Sequence, residues 1–517
     1  MQNFSLSPDG KEYNLPTPED DQKELAIIKE ITCQQRSSGR KIVAVQGMGF
    51  VGCVMAAVVA DAVDPQGNPL YFVHGQQRPS LRSYWKVPVI NSGHSPVNSS
   101  DPEIPGIFKR TVLEKKTFRA TWLNQVYELA DIVVVDIQLD ATKPAFGDAA
   151  KGYCDLSAFR DGIRTLGERI RPDCLILVET TVPPGACEKV IKPIIEAEFE
   201  KRGIDTEKFP PLIAHSYERV MPGNNYVRSI RNFWRVYSGI DDRSKTMARE
   251  FLSNIIDVEN YPLTEVDNTN ASELAKVMEN SYRAVNIALT LEWAKFAEQI
   301  GVNLHQIRKA IRKRQGTHDN MLRPSLGVGG YCLTKDPVLA NWSMSAIFDL
   351  PGSLDMAISA VNINDTMPAH TLELVHQHFP RLNDIKVTVL GISYLEELGD
   401  TRHSPSETLI RLLNENWAIV KAHDPYVEYW PEMENVIIRP DLENAVKDAE
   451  VIIFAVGHNE YTNLDPDHLL RMCLYKPLIV DCSNFICNLK IKRYIELGCT
   501  VTGVGKGHIN YLRTARH

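Results

Sequence analysis

At 517 residues the chain is too long for a single core, and two or three domains are expected. Its 44% hydrophobic and 24% charged residues are those of a globular protein, and a net charge of -8 argues against nucleic acid as a partner. Scattered cysteines with no CxxC pair, no apolar run near the ~18 residues of a membrane span, and an acidic opening stretch unlike a signal peptide predict a reduced, cytoplasmic protein without metal or membrane partner.

Residues 1–40 read as an N-terminal extension. The first clear element follows, KIVAVQGMGFVGCVMAAVVADA: an apolar strand from Lys41 to Gln46, then Gly47, Gly49 and Gly52, then an Ala/Val-rich helix. Glycines at this spacing, ending a buried strand and opening a helix, put backbone amides and the positive helix end where a dinucleotide pyrophosphate can lie. Gly47, Gly49, Phe50, Val51 and Gly52 are the candidate cofactor loop. A second strand, PLYFVHGQQRP, ends in Gln76 and Gln77 where an NAD fold usually offers Asp or Glu to the ribose hydroxyls, and Arg78 follows, which suits a 2′-phosphate. Glutamine can still bond a ribose hydroxyl, so NAD is the expected cofactor, with NADP left open and Gln77 and Arg78 as adenosine-side candidates. Apolar strands in DIVVVDI and CLILVE continue a parallel, doubly wound sheet.

Next comes a long helical pattern, TNASELAKVMENSYRAVNIALTLEWAKFAEQIG, stopped at Gly301. Lys276 and Asn280 share one face of it. The basic run RKAIRKRQ reads as a solvated helix face ahead of an anion site. In GVGGYCLTKDP, three glycines precede the lone Cys332, which fits either a tight turn before a structural thiol or a backbone pressed against a ligand. From NDIKVTVLGISY onward, strands recur in AIVKAHDP, AEVIIFAVGH, KPLIVDCSN and CTVTGVG, a second α/β domain whose first strand is followed by Gly391 alone and so lacks the dinucleotide fingerprint.

Over roughly residues 41 to 506 the chain resembles the UDP-glucose/GDP-mannose dehydrogenase family. The resemblance rests on GMGFVG, ETTVPPG, YERVMPG, ASELAKVMENSYRAVNIA, LGVGGYCLTKDP, GDTRHSP and HDP, in the family's order. It implies two doubly wound Rossmann-like α/β domains joined by a long central helix that commonly forms a dimer interface. The domains are expected at 41–260 for NAD(P), 261–380 for a central helical domain with the cysteine loop, and 381–517 for the nucleotide sugar.

The resemblance also implies chemistry, the four-electron oxidation of a nucleotide-linked sugar's primary alcohol to the carboxylate. Cys332 would be the nucleophile and Lys276 the oxyanion-stabilising cation, with Asn280 as its hydrogen-bonding partner on the substrate side. Asp336 and Thr181 would position water, and Glu218 would belong to the same network. Thr181 also counts toward the cofactor, and Arg219, Gly329, Gly330, Tyr394 and Arg402 join Glu218, Lys276 and Asn280 as substrate-binding candidates. The plainer readings are a helix cap at Asp336 before Pro337 and a turn from Thr181 to Pro184.

Several positions depart from the family pattern. DIQLD stands where Thr-Pro is frequent near the cofactor, Tyr217 replaces a usual proline, and Ser325 and Leu326 depart from Pro-Gly-Pro-Gly. Leu395 and Ser483 stand where a lysine and an arginine are frequent beside the nucleotide sugar. They point to a substrate other than plain UDP-glucose, or to a nucleotide-binding regulatory protein without the full reaction. YERVMPG is closer to the mannose and N-acetylhexosamine branches.

Overall fold

The computed structural model describes residues 3–514 other than 98, 146, 221 and 222. Met221 and Pro222 of YERVMPG therefore lie outside the described residues. The chain forms two compact units. One holds residues 3–141 with Cys154–Val277 and Trp342–Pro351, the other Thr142–Tyr153 with Met278–Asn341 and residues from Gly352 onward.

The first unit is built on an eight-stranded sheet. β1 (Phe4–Leu6) and β2 (Glu12–Asn14) form a separate antiparallel hairpin. The main sheet contains β3 (Lys41–Gln46), β4 (Tyr71–Gln76), β5 (Phe118–Thr121) and β6 (Ile132–Val135). A two-residue ladder of β7 (Ala141–Thr142) and β8 (Tyr153–Cys154) intervenes in the chain. The main sheet then resumes with β9 (Leu175–Val178), β10 (Leu212–His215), β11 (Val236–Gly239) and β12 (Thr264–Glu265). Its order is β12-β11-β10-β9-β6-β3-β4-β5, parallel from β10 to β5, with β11 antiparallel to β10. Strands such as IVVV and LILV are apolar at every position because helices cover both faces, and all four residues of each are buried. The chain reverses strand order between β3 and β6, where a doubly wound sheet opens its binding crevice.

The extension before β3 is ordered. A helix at Pro18–Ser37 starts with a Thr17/Asp20 capping box and buries only Glu24, Ile28 and Thr32, one residue per turn. It is fastened through polar contacts: Glu24 pairs with Arg119 at 2.6 Å, Thr32 bonds His74 at 2.9 Å, and Asp21 accepts from the Trp122 indole at 2.6 Å. Burial pushes His74 down to about 3, so the ring is neutral at physiological pH.

The second unit carries an all-parallel sheet, β13 (Lys386–Leu390), β14 (Ile419–His423), β15 (Ile437–Ile438), β16 (Val451–Phe454), β17 (Leu478–Asp481) and β18 (Thr500–Gly503), in the order β15-β14-β13-β16-β17-β18. It repeats the doubly wound order of the first, with its own reversal between β13 and β16. The long helix Thr269–Gln299 has 31 residues, roughly 46 Å at 1.5 Å per residue, and contributes to both units. Leu274, Met278, Tyr282, Leu289, Trp293 and Phe296 form an exposed apolar row along it. No helix among the described residues is long and apolar enough to cross a membrane.

Candidate active site

In the first unit the chain leaves β3, turns at Gly47 and enters the helix Phe50–Asp61 at once. A Cβ on Gly52 would lie 2.1 Å from the Gly47 carbonyl oxygen, so only glycine lets the helix start this close to the turn. At Gly49 nothing lies within 4 Å of a Cβ position, which leaves open space at the helix mouth. No side chain caps this helix. First-turn amides have no partner within a helix, so an anion suits them, and the loop fits a dinucleotide pyrophosphate. Val51 is the second residue of that turn, and Phe50 stacks on Tyr226 with ring centroids 5.0 Å apart. Gln77 steadies the loop, its Oε1 accepting from Met48 N at 3.1 Å, and Arg78 beside it is exposed.

Behind the crevice lies a buried cluster of charge that the sequence reading did not single out. Glu179 and Arg235 form an ion pair at 2.5 Å. Asp136, at the end of β6, directs Oδ2 to within 3.2 Å of the Gly52 Cβ position, and that oxygen has no hydrogen-bond partner among the described residues. Burial raises the Asp136 carboxyl well above the usual range, and the neighbouring Glu179 and Glu218 charges add to this. The available signal was an aspartate closing an otherwise apolar strand in DIVVVDI.

Glu218 and Lys276 meet in the same unit. The Lys276 ammonium donates to the Glu218 carbonyl at 2.8 Å and lies 3.4 Å from Oε1, and it sits 5.3 Å from the centre of the Tyr217 ring. Burial pushes the Glu218 carboxyl up, but Lys276, the Val220 amide and Arg235 outweigh it and hold the group below its ordinary value. Arg219 is drawn aside, donating to Trp234 O at 2.6 Å and to the Tyr217 hydroxyl at 3.1 Å. Thr181 is half-buried beyond β9, while its neighbour Thr180 ties that turn to Val135 O and Ile137 O at 3.1 and 2.9 Å.

One turn beyond Lys276 on the long helix, Asn280 donates to Asp336 Oδ2 at 2.6 Å. Asp336 does not cap a helix as the plainer reading had it. The helix runs from Cys332 to Ala346 with Pro337 inside it, so Asp336 follows Cys332 by one turn on the same helix. Cys332, at the helix start, is exposed. Gly329 is required by packing within this unit, because its Cβ would meet Tyr394 Cβ at 2.6 Å and His403 O at 2.7 Å. Gly330 lies over the Tyr394 ring and donates its amide to Arg402 O at 3.3 Å. The Arg402 guanidinium is forked on Asp400, with Nε 2.8 Å from Oδ1, and lies 4.8 Å from the Tyr331 ring centre.

The second reversal point is filled by side chains. Asp424 Oδ2 accepts from Ile392 N at 2.8 Å and Ser393 N at 3.0 Å, and His458 Nε2 lies 3.1 Å from the same oxygen. Leu395 is exposed, and Ser483 is buried with its amide on Asp481 at 3.2 Å. The Asp481 carboxylate is paired with buried Lys506 at 2.6 Å.

Comparison with known proteins adds three matches to one family. Residues 41–256 match the NAD binding domain of the UDP-glucose/GDP-mannose dehydrogenase family, 270–366 its central domain and 388–488 its UDP binding domain. The chain is 27% identical over 473 residues to UDP-N-acetyl-D-mannosamine dehydrogenase of Pyrococcus horikoshii, covering 90% of this chain and 100% of that one. It is 29% identical over 362 residues to the enzyme of the same name from Methanocaldococcus jannaschii, 69% of this chain and 76% of the other. Among solved structures, NDP-N-acetyl-D-galactosaminuronic acid dehydrogenase of Methanosarcina mazei superposes with a TM-score of 0.75 at 30% identity, over 93% of this chain and 98% of that one.

Proposed function

The chain belongs to the UDP-glucose/GDP-mannose dehydrogenase family of NAD-dependent oxidoreductases, and from that premise we propose that it oxidises the primary alcohol of a nucleotide-linked sugar to the carboxylate through a covalent bond to Cys332. The Gly47–Gly52 loop would hold NAD, which would supply the hydride acceptor needed at each of two successive oxidations. The Cys332 sulfur adds to the aldehyde carbon left by the first, giving a thiohemiacetal, and oxidation of that adduct leaves a thioester. The positive end of the helix headed by Cys332 favours negative charge on the sulfur. Lys276 supplies a fixed cation for charge that develops on the substrate oxygen, a role its burial strengthens. Asp336, oriented by Asn280, activates the water that hydrolyses the thioester and returns the thiol, the role in which the resemblance also enlists Thr181. Glu218 keeps Lys276 in place.

The observation that carries this reading is the pairing of an exposed cysteine with a buried carboxylate one helical turn away, itself fixed by Asn280 at 2.6 Å. The test is stoichiometry: two NADH formed per acid released, with no free aldehyde. One NADH per turnover, or an aldehyde product, overturns it.

The substrate we favour carries an N-acetylated hexosamine, as the relatives' names describe for those proteins. Leu395 and Ser483 offer no charge-assisted bond of a lysine or arginine to a diphosphate, which weakens the hold on any nucleoside diphosphate sugar alike, so the preference for the N-acetylated sugar rests on the relatives. Comparing turnover of UDP-N-acetyl-D-mannosamine with UDP-glucose decides this. A homodimer through the long helix is the assembly we favour, because six large apolar side chains in one exposed row are costly to leave in water. A monomer by sedimentation at micromolar concentration counts against it.

A further inference from the structure

The end of β4 carries no carboxylate. From Gln76 to Lys86 the sequence QQRPSLRSYWK holds three cations and no acid. Gln77 is engaged by the fold through Met48 N, and its Nε2 donates to Ser83 Oγ at 3.1 Å. Ser83 Oγ donates in turn to Arg78 O at 3.1 Å and lies 2.6 Å from Ser80 Oγ, and Ser80 N donates to Arg78 O at 2.9 Å. The result is a braced turn that sets two hydroxyls side by side. Arg78 and Arg82 are exposed on it, and no carboxylate pairs with either among the described residues. The acids on the N-terminal helix are committed elsewhere: Asp20 to Thr17 N at 2.9 Å, Asp21 to Trp122 and Glu24 to Arg119.

In a sheet of this order the strand next to the glycine loop ends at the adenosine ribose. An acid there bonds the ribose hydroxyls and repels a 2′-phosphate, whereas an arginine receives one. Arginine suits the task because its planar guanidinium pairs with phosphate through two N–H groups and can lie flat on a base. We propose that the Gln77–Ser83 turn is a 2′-phosphate site, so that the enzyme binds NADP as well as NAD. Arg78 and Arg82 are the phosphate's partners, and the exposed Ser80 hydroxyl offers a donor beside them, the Ser83 proton being given to Arg78 O. The proposal rests on the Gly47–Gly52 loop being the cofactor site.

Calorimetric titration of the full chain with NAD, NADP, 2′-AMP and 5′-AMP tests it without relying on turnover. The expected result is an NADP dissociation constant within about tenfold of that for NAD, and tighter binding of 2′-AMP than of 5′-AMP. The double variant Arg78→Ala/Arg82→Ala should lower the NADP-to-NAD affinity ratio by about tenfold or more, the worth of one charge-assisted hydrogen bond. Gln77→Glu should lower the same ratio by setting a like charge against the phosphate. NAD titration of each variant reports whether the site is still formed. NADP bound more than about tenfold weaker than NAD, or a ratio unchanged in both variants, overturns the 2′-phosphate site alone. Failure of the unmodified chain to bind NAD overturns the cofactor reading of the glycine loop as well.

Discussion

The two sheets share a strand order but treat the turn at their reversal points in opposite ways. After β3 the helix begins four residues beyond the strand, with no side-chain cap on its first turn among the described residues. After β13 the backbone amides of Ile392 and Ser393 are already taken by Asp424, and the next helix waits until Pro405. A carboxylate reaching over from the end of the neighbouring strand satisfies those amides internally and makes that turn a poor place for a phosphate. Topology thus offers the same crevice twice, and one side chain decides whether an external anion is received by backbone. The units also differ in how they keep charge. The first buries Glu179, Arg235 and Lys276 behind its crevice with Glu218 half-buried beside them, while the second sets Asp336 between the Asn280 amide and the Lys335 ammonium and pairs Asp481 with Lys506.

The largest effect should come from removing the first unit's cation. Lys276→Ala should lower kcat by ~100-fold or more if the ammonium acts chiefly on transition-state charge. A rise in KM alone would assign it to binding. The same variant has a pH signature. Glu218 is held below its ordinary value, so the stability it contributes is complete above the ordinary glutamate range and is lost as pH falls through the lowered folded value. Without Lys276 the folded value rises toward the ordinary one, so this contribution should shrink, seen as a lower melting temperature near neutral pH and a smaller acid-side drop.

A second experiment probes the uncapped turn. Gly49→Ala adds a methyl to open space, so the melting temperature should hold while NAD affinity falls by ~10-fold through lost room for the pyrophosphate. Gly52→Ala, driven against the Gly47 carbonyl, should lose both. Equal behaviour of the two variants would break the distinction between a glycine needed by the fold and one needed by the ligand.

Asp424→Ala tests the opposite turn. Two buried amides lose their acceptor, which should cost ~1–3 kcal/mol of stability in denaturant titration and leave NAD binding unchanged. No loss of stability would mean that the carboxylate is not what satisfies this turn. The smallest expected change is a gain of a few-fold in kcat/KM for a sugar diphosphate in Leu395→Lys, which restores one exposed cation, worth ~1 kcal/mol or less.

Much of this architecture was legible in the sequence for one reason: strands covered on both faces read as unbroken apolar runs, and both sheets are made of them. The long helix announced itself by its period and by Gly301. What stayed hidden had no such run. β12 is two exposed residues, and β11 joins the sheet antiparallel. The helix Pro18–Ser37 buries a glutamate, an isoleucine and a threonine, a stripe that hydrophobic periodicity does not detect. Of the candidate site, the glycine loop and the cysteine motif could be picked out because their residues are neighbours in the chain. The Glu179–Arg235 pair was not, since its members are 56 positions apart and meet only when β9 and β11 enter one sheet.

The covalent role of Cys332 is tested most directly by intact-mass analysis of acid-quenched enzyme. Asp336→Asn, chosen to slow thioester hydrolysis, is mixed with NAD and the nucleotide sugar that the wild type oxidises fastest. The predicted result is a mass increase equal to the acyl form of the substrate, mapped to the peptide containing Cys332 and absent from Asp336→Asn/Cys332→Ser. Acid released by Cys332→Ser at the wild-type rate, with no adduct in either variant, would contradict it.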